Sequence, residues 1–184
     1  NEKMFRRFAW QPYISISEAQ REPRLGLNYI QTIYNGIDTS IYPFQAQPSQ
    51  PAYLAFVGRI SPEKGPIEAM KIARAAGLPL KMAGKVDPVD REYFRDRVEP
   101  LIDGEQIQYL GEISHEEKAQ LLGGATVTLF PITWREPFGL VMIESMATGT
   151  PVVGMGLGSV PEVIAHGKTG FVCHSLEQMV DVIP

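Results

Sequence analysis

From residue 52 onward, short apolar runs alternate with stretches of helical periodicity, and no other feature of the chain restricts its fold as tightly. The runs are AYLAFVG (52–58), LKMAG (80–84), IQYLG (107–111), VTLFP (127–131), PVVG (151–154) and GFVC (170–173). Helical patterns lie near 66–77, 88–100, 115–123, 139–148 and 175–183. Strand–helix alternation of this kind predicts an α/β fold, a parallel sheet with helices on both faces. Ligands of such sheets bind beyond the carboxyl ends of the strands, so the loops after strands are where chemistry is to be sought.

Upstream, YISIS (13–17) and YIQTIY (29–34) read as two more strands, with a short helical pattern near 18–22. The stretch PFQAQPSQP (43–51) is rich in Pro and Gln, lacks periodicity and reads as a linker. Residues 1–42 are too few to bury a core alone. They read as the tail of a neighbouring domain, with residues 52–184 as one α/β domain and the start as if cut from a longer chain. The apolar faces of residues 1–42 suggest self-association.

Several helix starts carry their own signals. Ser114 with Glu117 forms a capping-box pattern, and Ser175 with Gln178 repeats it. Asp87 ahead of Pro88 reads as an N-cap before a proline at the first helical position.

Three glycine-punctuated clusters sit after strands. The first is Gly58-Arg59-Ile60-Ser61-Pro62-Glu63-Lys64-Gly65. Arg59 offers a planar donor fork and Lys64 a point charge, and together they suit a diphosphate. The same loop also reads as a solvated turn with Ser61 as N-cap, and it lacks the residue order of a P-loop. The second is EPFGLVMIESMATGTPVV, from Glu136. A helix starting at Gly139 would leave the amides of Gly139, Leu140 and Val141 unpaired and partly positive, a ready anion site. Glu136 could accept from sugar hydroxyls. Glu144 lies about 7.5 Å further along the axis, a reach from a phosphate to a ribose diol. Val141, Met142, Ile143 and Met146 suggest a buried helix, where an acid needs a partner. A glycosidase acid/base pair fits poorly, because no aromatic sugar platform accompanies these acids. The third cluster, Gly154 to Glu162, reads most simply as a tight turn into a short helix. Trp134 reads equally as a pocket wall or as loop packing.

The totals exclude some classes. A net charge of −4 over 184 residues gives no global attraction to nucleic acid, so any anion site is local. The lone Cys173 rules out an internal disulfide and fits a reducing compartment. No apolar run has the length of a membrane span, and NEKMFRRFAW lacks a signal-peptide core, so the reading is cytoplasmic. His115, His166 and His174 form no zinc-ligand pattern, and no metal site is expected.

Taken in order, Gly58-Arg59, Glu63-Lys64-Gly65, Glu136-Pro137-Phe138-Gly139-Leu140 through Glu144, Gly149-Thr150-Pro151-Val152-Val153, Pro161-Glu162-Val163 and Gly167 to Phe171 resemble family 4 retaining glycosyltransferases. Asn35-Gly36-Ile37-Asp38 also matches the entry to that family's interdomain linker. The resemblance runs from about Ile33 to the end of the chain. It implies one half of a GT-B architecture, in which two Rossmann-like domains face each other and the second binds a nucleotide-sugar donor. It implies that Arg59 and Lys64 hold the diphosphate. Gly58 and the turn Phe138-Gly139-Leu140-Val141 would cradle phosphate and sugar, Glu136 would touch the donor sugar, and Glu144 would take the ribose. The base would lie near Glu112 and Ile113. It further implies transfer with retention and without metal or cofactor. The acceptor, a sugar, lipid or other small molecule, would sit in the other domain, and the complete enzyme could associate peripherally with a membrane. A nucleotide-sugar epimerase and a non-catalytic nucleotide-sugar-binding module are the alternatives.

Overall fold

A computed structural model of the chain describes residues 2–21 and 25–184; residue 22, the end of the helical pattern near 18–22, lies outside them. Helix α1 (Glu2–Arg7) precedes strands β1 (Pro12–Ser15) and β2 (Asn28–Thr32), which pair in parallel as a two-stranded sheet. α1 was not anticipated from the sequence. Residues 18–20 form a turn rather than a helix. The reason is local: Ser17 Oγ accepts from the amide of Gln20, and Gln20 Oε1 accepts from the amide of Ile16. Side-chain bonds of this kind compete with helix winding. Trp10, Ile14, Ile30 and Ile33 of this unit are exposed.

After a 3₁₀ turn at Thr39–Ile41, capped by Asp38, Tyr42 is buried. The 43–51 stretch then crosses the ends of two helices. Gln45 N–H donates to Thr148 O and Ser49 N–H to Gly124 O.

The second sheet has six parallel strands. In chain order its elements are β3 (Leu54–Val57), α2 (Pro66–Ala76), β4 (Leu80–Ala83), α3 (Arg91–Tyr93), β5 (Ile107–Tyr109), α4 (His115–Gly123), β6 (Val127–Phe130), α5 (Leu140–Ala147), β7 (Val152–Met155), α6 (Val160–Val163), β8 (Gly170–Cys173) and α7 (Leu176–Asp181). The spatial order is β5-β4-β3-β6-β7-β8. The chain therefore winds outward from β3 through β4 to β5, then returns to the other side of β3 with β6. This is the doubly wound Rossmann arrangement, and its switch point lies between β3 and β6. Those central strands read as near-continuous apolar runs because both their faces are covered. Leu54 and Phe56 point to the side packed by Met70 and Ile72 of α2 and Met179 of α7. Tyr53 and Ala55 point to the side packed by Leu121 and Leu122 of α4.

The helix expected over 88–100 is broken. Pro88–Asp90 is 3₁₀, α3 makes one turn, Phe94–Val98 winds as a π-helix, and Glu99–Leu101 is 3₁₀ again. Pro100 has no amide to give Asp96 and its ring crowds that carbonyl, so regular winding cannot pass through this turn. Asp87 makes no side-chain cap there; it pairs instead with Lys85 at 3.0 Å and Arg59 at 3.5 Å. The Ser114–Glu117 capping box is complete. At α7, Ser175 caps Gln178, but Gln178 Oε1 takes the amide of His174, so the box is half formed.

Candidate functional site

The loops after β3 and β6 meet at the switch point. In the first, Pro62–Lys64 makes one 3₁₀ turn, and Gly65 closes it in the left-handed conformation before Pro66 opens α2. That turn swings Lys64 across to the second loop, where its Nζ bonds Glu136 Oε2 at 2.5 Å. Trp134 Nε1 donates to the same oxygen at 2.9 Å, and the Lys64 ammonium lies 5.0 Å from the centroid of the Trp134 ring. A backbone bond from Thr133 N–H to Glu63 O fastens the loops to each other. Lys64 and Glu136 are both largely buried, with side chains 16% and 8% exposed, so each charge depends on the other.

Behind this pair stands the third glycine cluster. Ser159 N–H donates to Glu136 O, and Ser159 Oγ donates to Phe138 O. A Cβ on Gly158 would come within 2.2 Å of Glu136 O, so only glycine lets the loop approach this closely. The cluster reads from sequence as a tight turn. In the fold it braces the segment that carries Glu136.

Gly139, at φ 78°, is the N-cap of α5 and makes no side-chain cap bond. A pocket of about 400 Å³ opens against this helix start. Among the sequence-predicted site residues, Gly58, Arg59, Lys64, Glu136, Phe138, Gly139, Leu140 and Val141 line it. Ile16 and Asn35, beyond the ends of β1 and β2, form part of its wall, as does Phe130. None of these three was singled out from the sequence as a binding residue. The pocket thus lies between the two sheets. Arg59 is half-exposed and engaged by Glu63 at 3.1 Å and by Asp87. The Lys85 ammonium beside Asp87, helped by Arg59, holds its carboxyl below the usual carboxylate range.

Glu144, Glu112 and Ile113 do not line this pocket. Glu112 is exposed and follows β5, the outer strand of the sheet. Ile113 packs with Val141 on the cluster of Ala55, Ala83 and Leu122. Glu144 is buried one turn into α5, and its Oε1 accepts from Tyr42 Oη and from Lys118 Nζ, each at 2.7 Å. Burial pulls the Lys118 ammonium down, but its bonds to Glu144 and Tyr42 outweigh this and hold it above the ordinary lysine value. Burial, with the bond to Glu144, pushes the Tyr42 phenol up. A sequence signal for Lys118 existed: it stands one turn before Leu121 and Leu122, a charge on an apolar stripe. Tyr42 carried none.

The arrangement sets an ammonium, a guanidinium and a helix start around one pocket, groups suited to an anion, with a carboxylate beside them to accept from hydroxyls. Among the described residues, no group of three or more His, Cys, Asp and Glu is placed to hold a metal ion. No helix among them is long and apolar enough to cross a membrane.

Comparison with known proteins extends this picture. The profile of the family described as glycosyl transferases group 1 matches residues 39–183. A glycogen synthase of Mycobacterium tuberculosis is 34% identical over 155 residues, covering 80% of this chain and 37% of the relative. An alpha-maltose-1-phosphate synthase of Mycolicibacterium smegmatis is 30% identical, over 88% of this chain and 48% of its own. The chain therefore spans about half or less of the length of these curated relatives. Among solved structures, Anabaena HepE in complex with UDP and glucose superposes with a TM-score of 0.80 at 20% identity, over 100% of this chain and 57% of that one. Sucrose-phosphate synthase from Thermosynechococcus elongatus gives 0.81 at 24% identity, over 99% and 51%. These two likenesses place the fold with the GT-B Rossmann-like glycosyltransferases. The chain belongs to the group 1 glycosyltransferases.

Proposed function

We propose that this chain carries the donor-binding part of a family 4 glycosyltransferase, which moves a sugar from a nucleoside diphosphate to an acceptor with retention at the anomeric carbon. One observation carries the reading: Lys64 and Glu136, from the loops after β3 and β6, pair at the switch point beside the open start of α5. In this reading Arg59, Lys64 and the amides of Leu140 and Val141 take up the charge that develops on the diphosphate as the glycosidic bond breaks, a form of electrostatic catalysis. Glu136, held by Lys64 and Trp134 through Oε2, accepts from hydroxyls of the donor sugar. The UDP and glucose of the Anabaena relative support a nucleotide-sugar donor. The acceptor is assigned to the facing domain of the family architecture, so donor binding is the property expected of this chain on its own.

Thermal melts with UDP, GDP and ADP test the proposal. A ligand at a hundred times its dissociation constant stabilises by about 2.7 kcal/mol, a rise of roughly 5–10 °C for a domain of this size. One nucleotide should give that rise, and Arg59→Ala, at a half-exposed position, should reduce it without lowering the unliganded melting temperature. No rise with any of the three at millimolar concentration would overturn the donor site. Retention is read from the product of the complete enzyme: an α linkage from an α-linked donor supports it, and a β linkage overturns it.

A further inference from the structure

Glu144 is 7% exposed. Leu140 and Val141, four and three residues earlier, line the pocket, so Glu144 lies on the same stripe of α5, one turn further from the helix start. Two segments distant in sequence converge on it. Tyr42, just ahead of the 43–51 crossing, and Lys118 of α4 both donate to Oε1. The Lys118 ammonium also lies 5.6 Å from the centroid of the Tyr42 ring. Two donors on one oxygen remove the rotation that a free glutamate keeps. Among the described residues both bonds fall on Oε1, which leaves Oε2 to meet a ligand. A carboxylate oxygen held in this way is an acceptor, the partner that a hydroxyl pair needs.

We infer that Lys118 and Tyr42 are positioning residues that aim Glu144 at the 2′- and 3′-hydroxyls of the donor ribose and so make the site select ribonucleotides over 2′-deoxyribonucleotides. The inference rests on the donor-site reading above. It adds that the selection depends on two side chains outside the pocket, one of them next to the segment joining the two sheets.

Isothermal titration calorimetry of the chain with uridine, guanosine and adenosine diphosphates, each compared with its 2′-deoxy form, tests it. The wild type should bind one ribonucleotide more tightly than its deoxy counterpart by roughly tenfold to a hundredfold, as for a hydrogen bond to a charged group. Glu144→Gln should abolish that ratio. Tyr42→Phe and Lys118→Met should lower it severalfold, and Lys118→Arg should keep most of it. Lys118→Met strands a buried carboxylate and risks unfolding, so Tyr42→Phe decides where it does not fold. A merely structural role would lower the melting temperature of Tyr42→Phe and leave the ratio intact. A ratio lost in Glu144→Gln but kept in both other variants overturns the inference alone. A wild type without binding or without a ratio, or a ratio kept in Glu144→Gln, overturns the ribose reading itself and the inference with it.

Discussion

Gly158 shows how much a single residue can decide. It has a left-handed φ of 60°, and its missing side chain lets the chain pass against the peptide of Glu136. Gly158→Ala must push that backbone aside, since a Cβ would sit 2.2 Å from Glu136 O and 2.4 Å from Glu136 N. We expect a loss of about 1–3 kcal/mol in chemical denaturation, together with weakened nucleotide binding. Gly36→Ala is the control. Nothing lies within 4 Å of the Cβ it would add, its φ is not left-handed, and its effect should stay within about 0.5 kcal/mol. If the two substitutions cost the same, the bracing role of the Gly158 turn is wrong. The same scale shows why Trp134 was undecided from sequence. Its indole N–H donates to Glu136 Oε2, the oxygen that Lys64 also holds, and that partner is not visible in the residues around it.

At the scale of elements, α4 shows how local chemistry sets a helix in place. Ser114 Oγ accepts from the amide of Glu117, and the Glu117 carboxylate accepts from the amide of Ser114. Ser114→Ala should cost about 1 kcal/mol. Glu117 adds a pH signature. Its bond from the Ser114 amide holds its folded-state carboxyl below the ordinary value. Its contribution is therefore present above the unfolded-state value, near pH 4.3, and is lost as pH falls through the lower folded-state value. Melting temperatures of wild type and Glu117→Gln, followed from pH 7 down to pH 2, should differ at neutral pH and converge in acid. A constant gap across that range would mean that the carboxylate is not what supports the cap. The α4 cap was legible because its partners are three residues apart. The broken helix over 88–100 was not, because helical periodicity in the side chains survives a change of winding that Pro100 and the burial of Val98 impose on the backbone.

Across the whole molecule, the two sheets are joined by more than the connecting chain. Glu162 of α6 accepts from the amides of Glu18 and Ala19 at 2.8 and 2.6 Å and from Tyr34 Oη at 3.1 Å. The bond to Glu162 is the main cause that pushes the Tyr34 phenol above its ordinary value. The Tyr34 ring packs 6.2 Å from that of Phe138, which lines the pocket. Glu162→Ala should therefore speed hydrogen exchange at the amides of Glu18 and Ala19 while leaving β3 and β6 protected. Unchanged exchange at those two amides would show that Glu162 does not help to hold the sheets together. From sequence, Glu162 only closed the Gly154 to Glu162 turn, and nothing near it pointed to residues more than a hundred positions earlier.

What the sequence by itself determined is what short-range pattern can encode. Apolar runs separated by helical periods specify the class of fold, and glycine and proline mark where loops turn after strands. A parallel sheet with helices on both faces puts those loops at one end, which made Gly58 to Lys64 and Glu136 to Val141 visible as one candidate site. Tertiary structure alone decided which charges meet. Lys64 finds Glu136 because β3 and β6 are neighbours at the switch point, although the two residues stand 72 positions apart. Glu144 finds Lys118 and Tyr42 because α4 packs beside α5 and the chain ahead of residue 43 returns to them. Periodicity tells each element which face to bury; the partner of a buried charge depends on strand order and helix packing, and those are set by the burial of the whole core.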